Sequence, residues 1–185
     1  MDRPAENDEW GVLKLGAISF GRYNEAENKA LPSTLIPAAR FEVKTGDVLF
    51  VRGNVLLLVG ACSYVDATRP KLMMPDLMFR AVFKSGGLIE ARFLAEVMRL
   101  PHLRQQIESV ATGTSPTMKK VSKPSLLGLR IPLPPLAIQN QLVAEVTAAR
   151  EAIAAERAAV AKLAADTSRE VEEMILGHRP VPNFT

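Results

Sequence analysis

The sequence predicts an α+β fold, in which a globular domain with a mixed or antiparallel twisted β-sheet is followed by a long C-terminal coiled-coil helix. Two observations predict it. Residues 10–130 contain short apolar runs separated by turn-forming residues, with no repeat of fixed period. Residues 136–176 contain no glycine or proline and twelve alanines, a composition with high helix propensity. This difference in composition and apolar pattern indicates a compact domain followed by a separate long helix.

The boundary between the two regions is a run of prolines. Pro132, Pro134 and Pro135 hold the chain extended and prevent helix before the last of them. The helix that follows would be roughly 60 Å long at about 1.5 Å per residue. We therefore predict a globular domain over residues 1–135, a long helix over 136–177 and a C-terminal tail over 178–185.

The domain contains several candidate elements. Five runs rich in Val, Leu or Phe are predicted as strands, over residues 11–15, 41–43, 48–52, 55–59 and 78–83. Gly53-Asn54, between two of these runs, predicts a tight hairpin turn. Apolar spacing interrupted by Pro101 predicts two helices, over 88–100 and 102–110. The polar stretch 111–125 is predicted to be an exposed loop, followed by a strand over 126–131.

Composition excludes several classes of protein. With 48% hydrophobic and 23% charged residues, the 185-residue chain can bury a core. It has no apolar run near the roughly 18 residues of a membrane span and no secretory signal, so we expect a cytoplasmic protein without membrane contact. A single cysteine, Cys62, and two isolated histidines, His102 and His178, give no reason to expect a disulfide or a bound metal.

The sequence offers no catalytic motif. Pro75-Asp76 lacks the Glu-x-Lys that completes a common nuclease core, and no Gly-rich loop ends in Gly-Lys-Ser/Thr for ATP. The Asn-Pro-Pro-aromatic motif of adenine methylation is also missing. We therefore predict a binding protein rather than an enzyme.

Basic residues are concentrated in the domain. Residues 40–130 hold 14 Lys and Arg against 7 Asp and Glu, whereas residues 136–176 hold 4 against 7. A basic domain suits a polyanion, because each phosphate neutralised by Lys or Arg releases counterions. The alternative is a protein-interaction adaptor with a coiled-coil helix and an incidental basic surface.

The helix has an apolar seam that advances by alternating steps of four and three residues, a heptad pattern. Its apolar members, which we predict to form a dimerisation interface, are Leu142, Val146, Ala149, Ile153, Val160, Leu163 and Met174. Polar Glu156, Thr167 and Glu170 interrupt the seam. The alternative is a long helix that folds back on its own domain.

Four segments in order resemble a known family. Trp10 to Gly16 is similar to its opening, Trp-x-x-x-x-Leu-Gly, and residues 46–54 are similar to its strand, Gly-Asp-Ile/Val-Leu-Phe/Ile-x-Arg. Residues 107–120 contain a stretch that resembles its Gly-Thr loop, and residues 129–139 resemble its Ile-Pro-Leu-Pro-Pro entry into a long helix, although Asn140 departs from the usual pattern. The family is that of type I restriction-modification specificity subunits, of which this chain resembles a half-length form.

The resemblance implies sequence-specific recognition of double-stranded DNA by a non-catalytic subunit, with residues 1–135 as the target-recognition domain and residues 136–177 as a spacer or dimerisation helix. It implies methyltransferase subunits as partners, which carry S-adenosylmethionine, and possibly a restriction subunit that uses ATP. Neither cofactor is expected on this chain. A complete subunit of the family has two recognition domains and two long helices, so a half-length chain is expected to form a homodimer that reads a bipartite, inverted-repeat target.

The candidate DNA contacts fall into two groups. Phosphate contacts are predicted in the polar loop, at Thr112, Gly113, Thr114, Ser115, Lys119, Lys120 and Lys123. Base contacts are predicted at Arg52, Asn54, Lys71, Arg80 and Lys84, since Arg suits guanine and Asn suits adenine. Because the resembled family tends to share the position of Arg52 across different targets, we expect Arg52 to contact DNA in a phosphate-binding or structural role and not to determine specificity. Lys71 could equally be ordinary surface charge, and the loop a solvated one.

Overall fold

A computed structural model of the chain describes residues 3–6, 8–115 and 117–180. Pro116 of the predicted loop and residues 181–185 of the predicted tail lie outside the described residues. The chain divides after Asn140 into two compact units. The predicted α+β class with a long C-terminal helix is confirmed.

Short strands and four α-helices make up the described part of the chain. The strands are β1 (Gly11–Leu13), β2 (Ile18–Ser19), β3 (Arg22–Tyr23), β4 (Asn28–Ala30), β5 (Val48–Val51), β6 (Gly53–Asn54), β7 (Cys62–Tyr64), β8 (Leu72–Met73), β9 (Met78–Arg80) and β10 (Lys119–Lys120). The helices are α1 (Ala91–Val97), α2 (Pro101–Val110), α3 (Lys123–Leu127) and α4 (Leu136–Ile175). Two single 3-10 turns span Leu15–Ala17 and Ala39–Phe41.

The strands form small sheets rather than one large one. β5 is the central strand of an antiparallel sheet in the order β7-β5-β9. A second sheet has the order β4-β1-β8, in which β1 pairs antiparallel with β4 and parallel with β8. β2 pairs with β3, and β6 pairs with β10, both antiparallel.

The core of the globular unit surrounds β5. Val48, Leu49 and Val51 are fully buried, which explains why this strand is apolar at successive positions instead of alternating. Leu49 and Val51 belong to a cluster that includes Leu72 of β8 and Met78 of β9. α1 packs against β5 and β7, so side chains of the central strand are covered on both of its faces.

α2 is fixed to a turn over residues 55–60 by one arginine. Nη1 of Arg104 donates to the carbonyl oxygen of Val59 at 2.8 Å, and Nη2 donates to those of Leu56 and Leu57. Gly60 has a φ of +71°, and a Cβ there would lie 2.7 Å from Cγ2 of Ile107. The turn therefore requires glycine where α2 approaches it.

Besides the exposed loop predicted over 111–125, which contains strand β10 and the first residues of α3, four predicted elements differ from the structure. Gly53-Asn54 is not a hairpin turn but strand β6, because its partner is the distant β10. Residues 55–59 form a turn rather than a strand, since their carbonyl groups bond to Arg104. Residues 41–43 contribute only a single bridge, from Glu42 to Met73.

The fourth difference concerns the segment predicted as a strand over residues 126–131. Helix α3 covers its beginning, and no strand is assigned over 126–131. Oγ of Ser122 accepts a hydrogen bond from the Ser125 backbone N–H at 3.1 Å, and Pro124 lies in the first turn. A serine cap followed by an early proline favours helix initiation.

The start of α4 is tied to the globular unit by a buried glutamine. Gln139 has no exposed surface, and Nε2 donates to the carbonyl oxygens of Leu88 and Pro134, both at 2.7 Å. Its Oε1 accepts from the Glu90 backbone N–H at 2.8 Å. Glu90 in turn caps α1 through its carboxylate. Among the described residues, no helix has the length and hydropathy needed to cross a membrane.

Candidate nucleic-acid interface

The structure brings two separate segments of predicted DNA-contacting residues together in one small sheet. Asn54 and Gly53 of β6 pair with Lys119 and Lys120 of β10. Lys120 also exchanges two backbone hydrogen bonds with Thr112, each 2.8 Å long. The backbone N–H of Val121 then donates to the carbonyl oxygen of Arg52. We call this arrangement, residues 52–54 with residues 112–115 and 117–121, the basic ladder.

Close packing within the basic ladder joins Gly113 to Met118 and Lys119. Gly113 has a φ of +121°, and a Cβ at this position would lie 2.8 Å from the Met118 carbonyl oxygen. Only glycine suits both the backbone angle and the space. Nζ of Lys119 donates to the Gly113 carbonyl oxygen at 2.6 Å, which closes the loop. The ammonium group of Lys119 thus makes a hydrogen bond within the fold as well as belonging to the predicted phosphate-binding residues.

Most of the predicted phosphate contacts are accessible. Thr112, Gly113, Thr114, Ser115, Lys120 and Lys123 are exposed, whereas Lys119 is half-buried. The hydroxyls of Ser115 and Thr117 hydrogen-bond to each other at 2.9 Å. Lys123 is the first residue of α3, shortly after β10. Residues 112–115 and 119–123 therefore carry hydroxyl groups, backbone N–H groups and lysine side chains within a short stretch of the chain.

Arg52 directly precedes β6 and has an unusual environment. Its guanidinium carbon lies 5.0 Å from the centre of the Phe79 ring. Its Nε is buried and has no hydrogen-bond partner among the described residues. The backbone is fixed on both sides, since Arg52 N–H donates to the Leu77 carbonyl oxygen and its own carbonyl accepts from Val121. Asn54 is half-buried, and its Oδ1 accepts from the Val55 N–H.

Lys71 and Arg80 have their cationic groups engaged by the fold. Nζ of Lys71 donates to the Asp8 carbonyl oxygen at 2.9 Å, and its backbone has a φ of +63°. Arg80 forms an ion pair with Asp47 at 3.0 Å and also donates to the carbonyl oxygen of Glu42. Neither residue belongs to the basic ladder. Lys84 is exposed in the loop that follows β9.

Two residues with structural roles in the globular unit were not identified by the sequence analysis. Arg104 is half-buried over the Phe20 ring at 4.6 Å, and its burial lowers the pKa of its guanidinium, partly offset by Glu108. Gln139 is the other. An arginine in an amphipathic helix and a glutamine in a helix entry look like surface residues in a sequence, so no local signal marks them. In the described part of the chain, no group of three His, Cys, Asp or Glu side chains is placed to hold a metal ion.

Comparison with known proteins identifies a relative. The chain is 32% identical over 144 residues to the specificity subunit of the type I restriction enzyme EcoEI from Escherichia coli. The match covers 77% of this chain and 24% of that protein, so the chain spans about a quarter of the length of the curated relative it matches. No family model matches the chain. The motifs, the fold and this relative together show that the chain belongs to the family of type I restriction enzyme specificity subunits.

Proposed function

We propose that the globular unit recognises double-stranded DNA in a sequence-specific manner, as a non-catalytic subunit of a type I restriction-modification system. The observation that carries this proposal is the basic ladder, in which Asn54 lies beside Lys119 and Lys120 and all three adjoin the hydroxyl-rich loop. DNA recognition needs phosphate contacts that position the protein and base contacts that select a sequence. The ladder offers residue types suited to both.

The two kinds of contact are assigned to different parts of the ladder. Lys120 and the exposed hydroxyls of Thr114 and Ser115 would contact phosphates. Asn54 is suited to adenine in the major groove, whereas Arg52 would contact the duplex without selecting a base. The guanidinium of Arg52 rests on Phe79, a contact that limits its motion and so lowers the entropy cost of binding.

The same proposal covers the partners. In a type I system, methyltransferase subunits carrying S-adenosylmethionine and possibly a restriction subunit using ATP would dock on this chain. The chain itself would bind neither cofactor. Two copies, joined through α4, would read a bipartite target of two short blocks. Support for self-association comes from the seam, where Leu142, Ile153 and Val160 leave 41% to 67% of their surfaces exposed.

Selection of bound duplexes from a random pool tests the proposal. We expect enrichment of two short blocks separated by a constant gap. Lys120→Ala should then weaken binding to all duplexes to a similar degree and lower the slope of affinity against salt by about one, because a phosphate contact carries no sequence information. Binding is measured by fluorescence anisotropy over a salt series.

Lys29→Ala is the matched control, since Lys29 is an exposed lysine on β4, outside the basic ladder. Its salt dependence should equal that of the unmodified chain. A pool that shows no enrichment, together with retention on heparin that disappears at modest salt, contradicts sequence recognition and favours the protein-interaction adaptor.

A further inference from the structure

Three consecutive leucines are exposed on the turn that follows β6. Leu56, Leu57 and Leu58 leave 38%, 73% and 39% of their surfaces exposed, whereas the next residue, Val59, is fully buried. Single exposed leucines are ordinary, but contiguous apolar surface is typical of a site that a partner covers. We call residues 55–60 the leucine turn.

The leucine turn is held in one conformation by hydrogen bonds. The backbone N–H groups of Leu58 and Val59 both donate to the carbonyl oxygen of Val55, each at 2.9 Å. From outside the turn, the guanidinium of Arg104 donates to three of its other carbonyl oxygens. Because the turn is ordered before it meets a partner, binding through its leucines costs little conformational entropy.

The leucine turn continues directly from the basic ladder. Asn54 is the last residue of β6, and Leu57 follows it by three residues. Their Cα atoms are therefore at most about 11 Å apart, which is roughly three base-pair steps of a duplex. Asn54 is paired with Lys119 in the ladder. Leucines beside lysines suit a duplex, in which the apolar groups of the bases lie between two rows of phosphates.

The chemistry of the major groove identifies the group that the leucines would meet. Of the groups that base pairs present there, the 5-methyl group of thymine is the apolar one. Asn54 is suited to adenine, and the base paired with adenine is thymine. We propose that Leu57 contacts the 5-methyl group of a thymine in the block that Asn54 reads. This inference rests on the proposed function, to which it adds a specificity-determining residue.

Duplexes that contain deoxyuridine test the contact, because uracil differs from thymine only in lacking the 5-methyl group. A duplex enriched from the random pool is resynthesised with uracil at each thymine of its blocks in turn. At one position, uracil should weaken binding of the unmodified chain about fourfold, the effect of one buried methyl group. Leu57→Ala should weaken binding to the thymine duplex at least as much.

The two changes together form a double-mutant cycle. Uracil at the same position should weaken binding of Leu57→Ala little further, because both changes remove one contact. Leu57→Met, which keeps an apolar side chain of similar size, should still distinguish thymine from uracil. Leu57→Ala should also keep the salt dependence of the unmodified chain, since an apolar contact releases no counterions.

Leu35→Ala is the matched control. Leu35 is an exposed leucine in another turn, in which its N–H donates to the Pro32 carbonyl oxygen, and it lies outside the basic ladder. This variant should bind the thymine and uracil duplexes as the unmodified chain does. Both leucines are exposed, so thermal unfolding followed by circular dichroism should give the same melting temperature for all chains.

The outcomes separate the methyl contact from the proposed function. An enriched target without thymine in its blocks would overturn the contact, and so would uracil substitutions that affect the unmodified chain and Leu57→Ala equally. A loss for Leu57→Ala that no uracil reproduces would mean that the leucine acts elsewhere, for example between base pairs. In each of these cases sequence recognition would stand. A pool that shows no enrichment would overturn both proposals.

Discussion

Cys62 lies in β7, opposite Phe50 of β5, and is fully buried. Its burial raises the pKa of the thiol well above the ordinary value of 9.0, with a smaller contribution in the same direction from Glu96. The folded chain therefore keeps this thiol neutral at a pH at which the unfolded chain ionises it. Packing as a small apolar group is the structural role of this residue.

This difference predicts a fall in stability at alkaline pH. As pH rises through 9.0, the unfolded state loses the thiol proton and the folded state keeps it, so the free energy of unfolding should fall by about 1.4 kcal/mol per pH unit. Below the ordinary pKa the two states bind the same proton and the effect vanishes. Urea unfolding in the presence of reductant, at a series of pH values, measures the slope.

Cys62→Ala provides the comparison. The variant lacks the thiol but keeps Tyr23, whose pKa is also raised by burial, so every other titration cancels between the two chains. The variant should show a shallower alkaline slope. Equal slopes in the two chains would mean that Cys62 can ionise in the folded state.

Arginines show how far single residues can be interpreted from sequence. Arg52 and Arg80 were both predicted to contact DNA, because arginine pairs well with guanine. In the structure both have a buried Nε without a hydrogen-bond partner among the described residues, but Arg80 is engaged by Asp47 and the Glu42 carbonyl, whereas Arg52 rests on Phe79. The difference between the two arginines depends on residues that are distant in sequence. The sequence shows which contacts a side chain can make, whereas the packing of the fold decides whether that side chain is accessible to DNA.

At the scale of elements, the basic ladder shows why local signals misled. Gly53-Asn54 has the composition of a hairpin turn, and a turn was predicted there. Gly53-Asn54 is extended instead, because the backbone of Lys119 and Lys120, distant in sequence, pairs with it in an antiparallel ladder. The residue types on both sides of the ladder were predicted as DNA contacts from the sequence. Their pairing was not, since strand pairing between distant segments leaves no local periodicity.

The entry of α4 depends on a single buried amide. Gln139→Leu keeps the approximate volume but leaves the Glu90 N–H and the carbonyl oxygens of Leu88 and Pro134 without this partner. Buried backbone groups without partners are costly, so the globular unit should lose about 2–4 kcal/mol of stability. Chemical denaturation followed by circular dichroism measures the loss.

Gln141→Leu is the matched control for that substitution. Gln141 is exposed and bonds only to Glu145 one turn later on the helix, at 2.8 Å among the described contacts. A pair of this kind contributes about 0.2–0.5 kcal/mol, so its removal should have a small effect. Equal losses for the two variants would contradict a special role for Gln139.

At the scale of the whole molecule, class and element order followed from composition. A long segment without Gly or Pro predicted the helix, and short apolar runs separated by turn-forming residues predicted the α+β domain. The period of the helix was harder to assign, because seven- and eleven-residue repeats share Leu142, Ala149, Ile153 and Val160. Ile138, Ala164, Val171 and Ile175 fit only the eleven-residue repeat, whereas Val146, Leu163 and Met174 fit only the seven-residue one. The apolar residues of α4 therefore fit two periods, and the choice between them depends on the partner that covers the helix.

A chain with one more eleven-residue repeat should read a target with a longer gap. Duplicating residues 149–159 in place adds eleven residues, close to three helical turns, and so lengthens a pair of α4 helices by roughly 16 Å with little rotation of its apolar side. Each chain enters α4 from its own globular unit, so the two recognition units should move apart by that length. At 3.4 Å per base pair, the gap in the selected duplexes should grow by about 5 base pairs.

The control for this length change places the same eleven residues after Gly177, beyond the end of α4. At that position the added residues do not lengthen the paired part of α4, so the gap in the selected duplexes should equal that of the unmodified chain. Sedimentation must show a dimer for both variants before the gaps are compared. An unchanged gap in a dimeric chain with the duplicated repeat would mean that the spacing of the blocks is set elsewhere than by the paired helices.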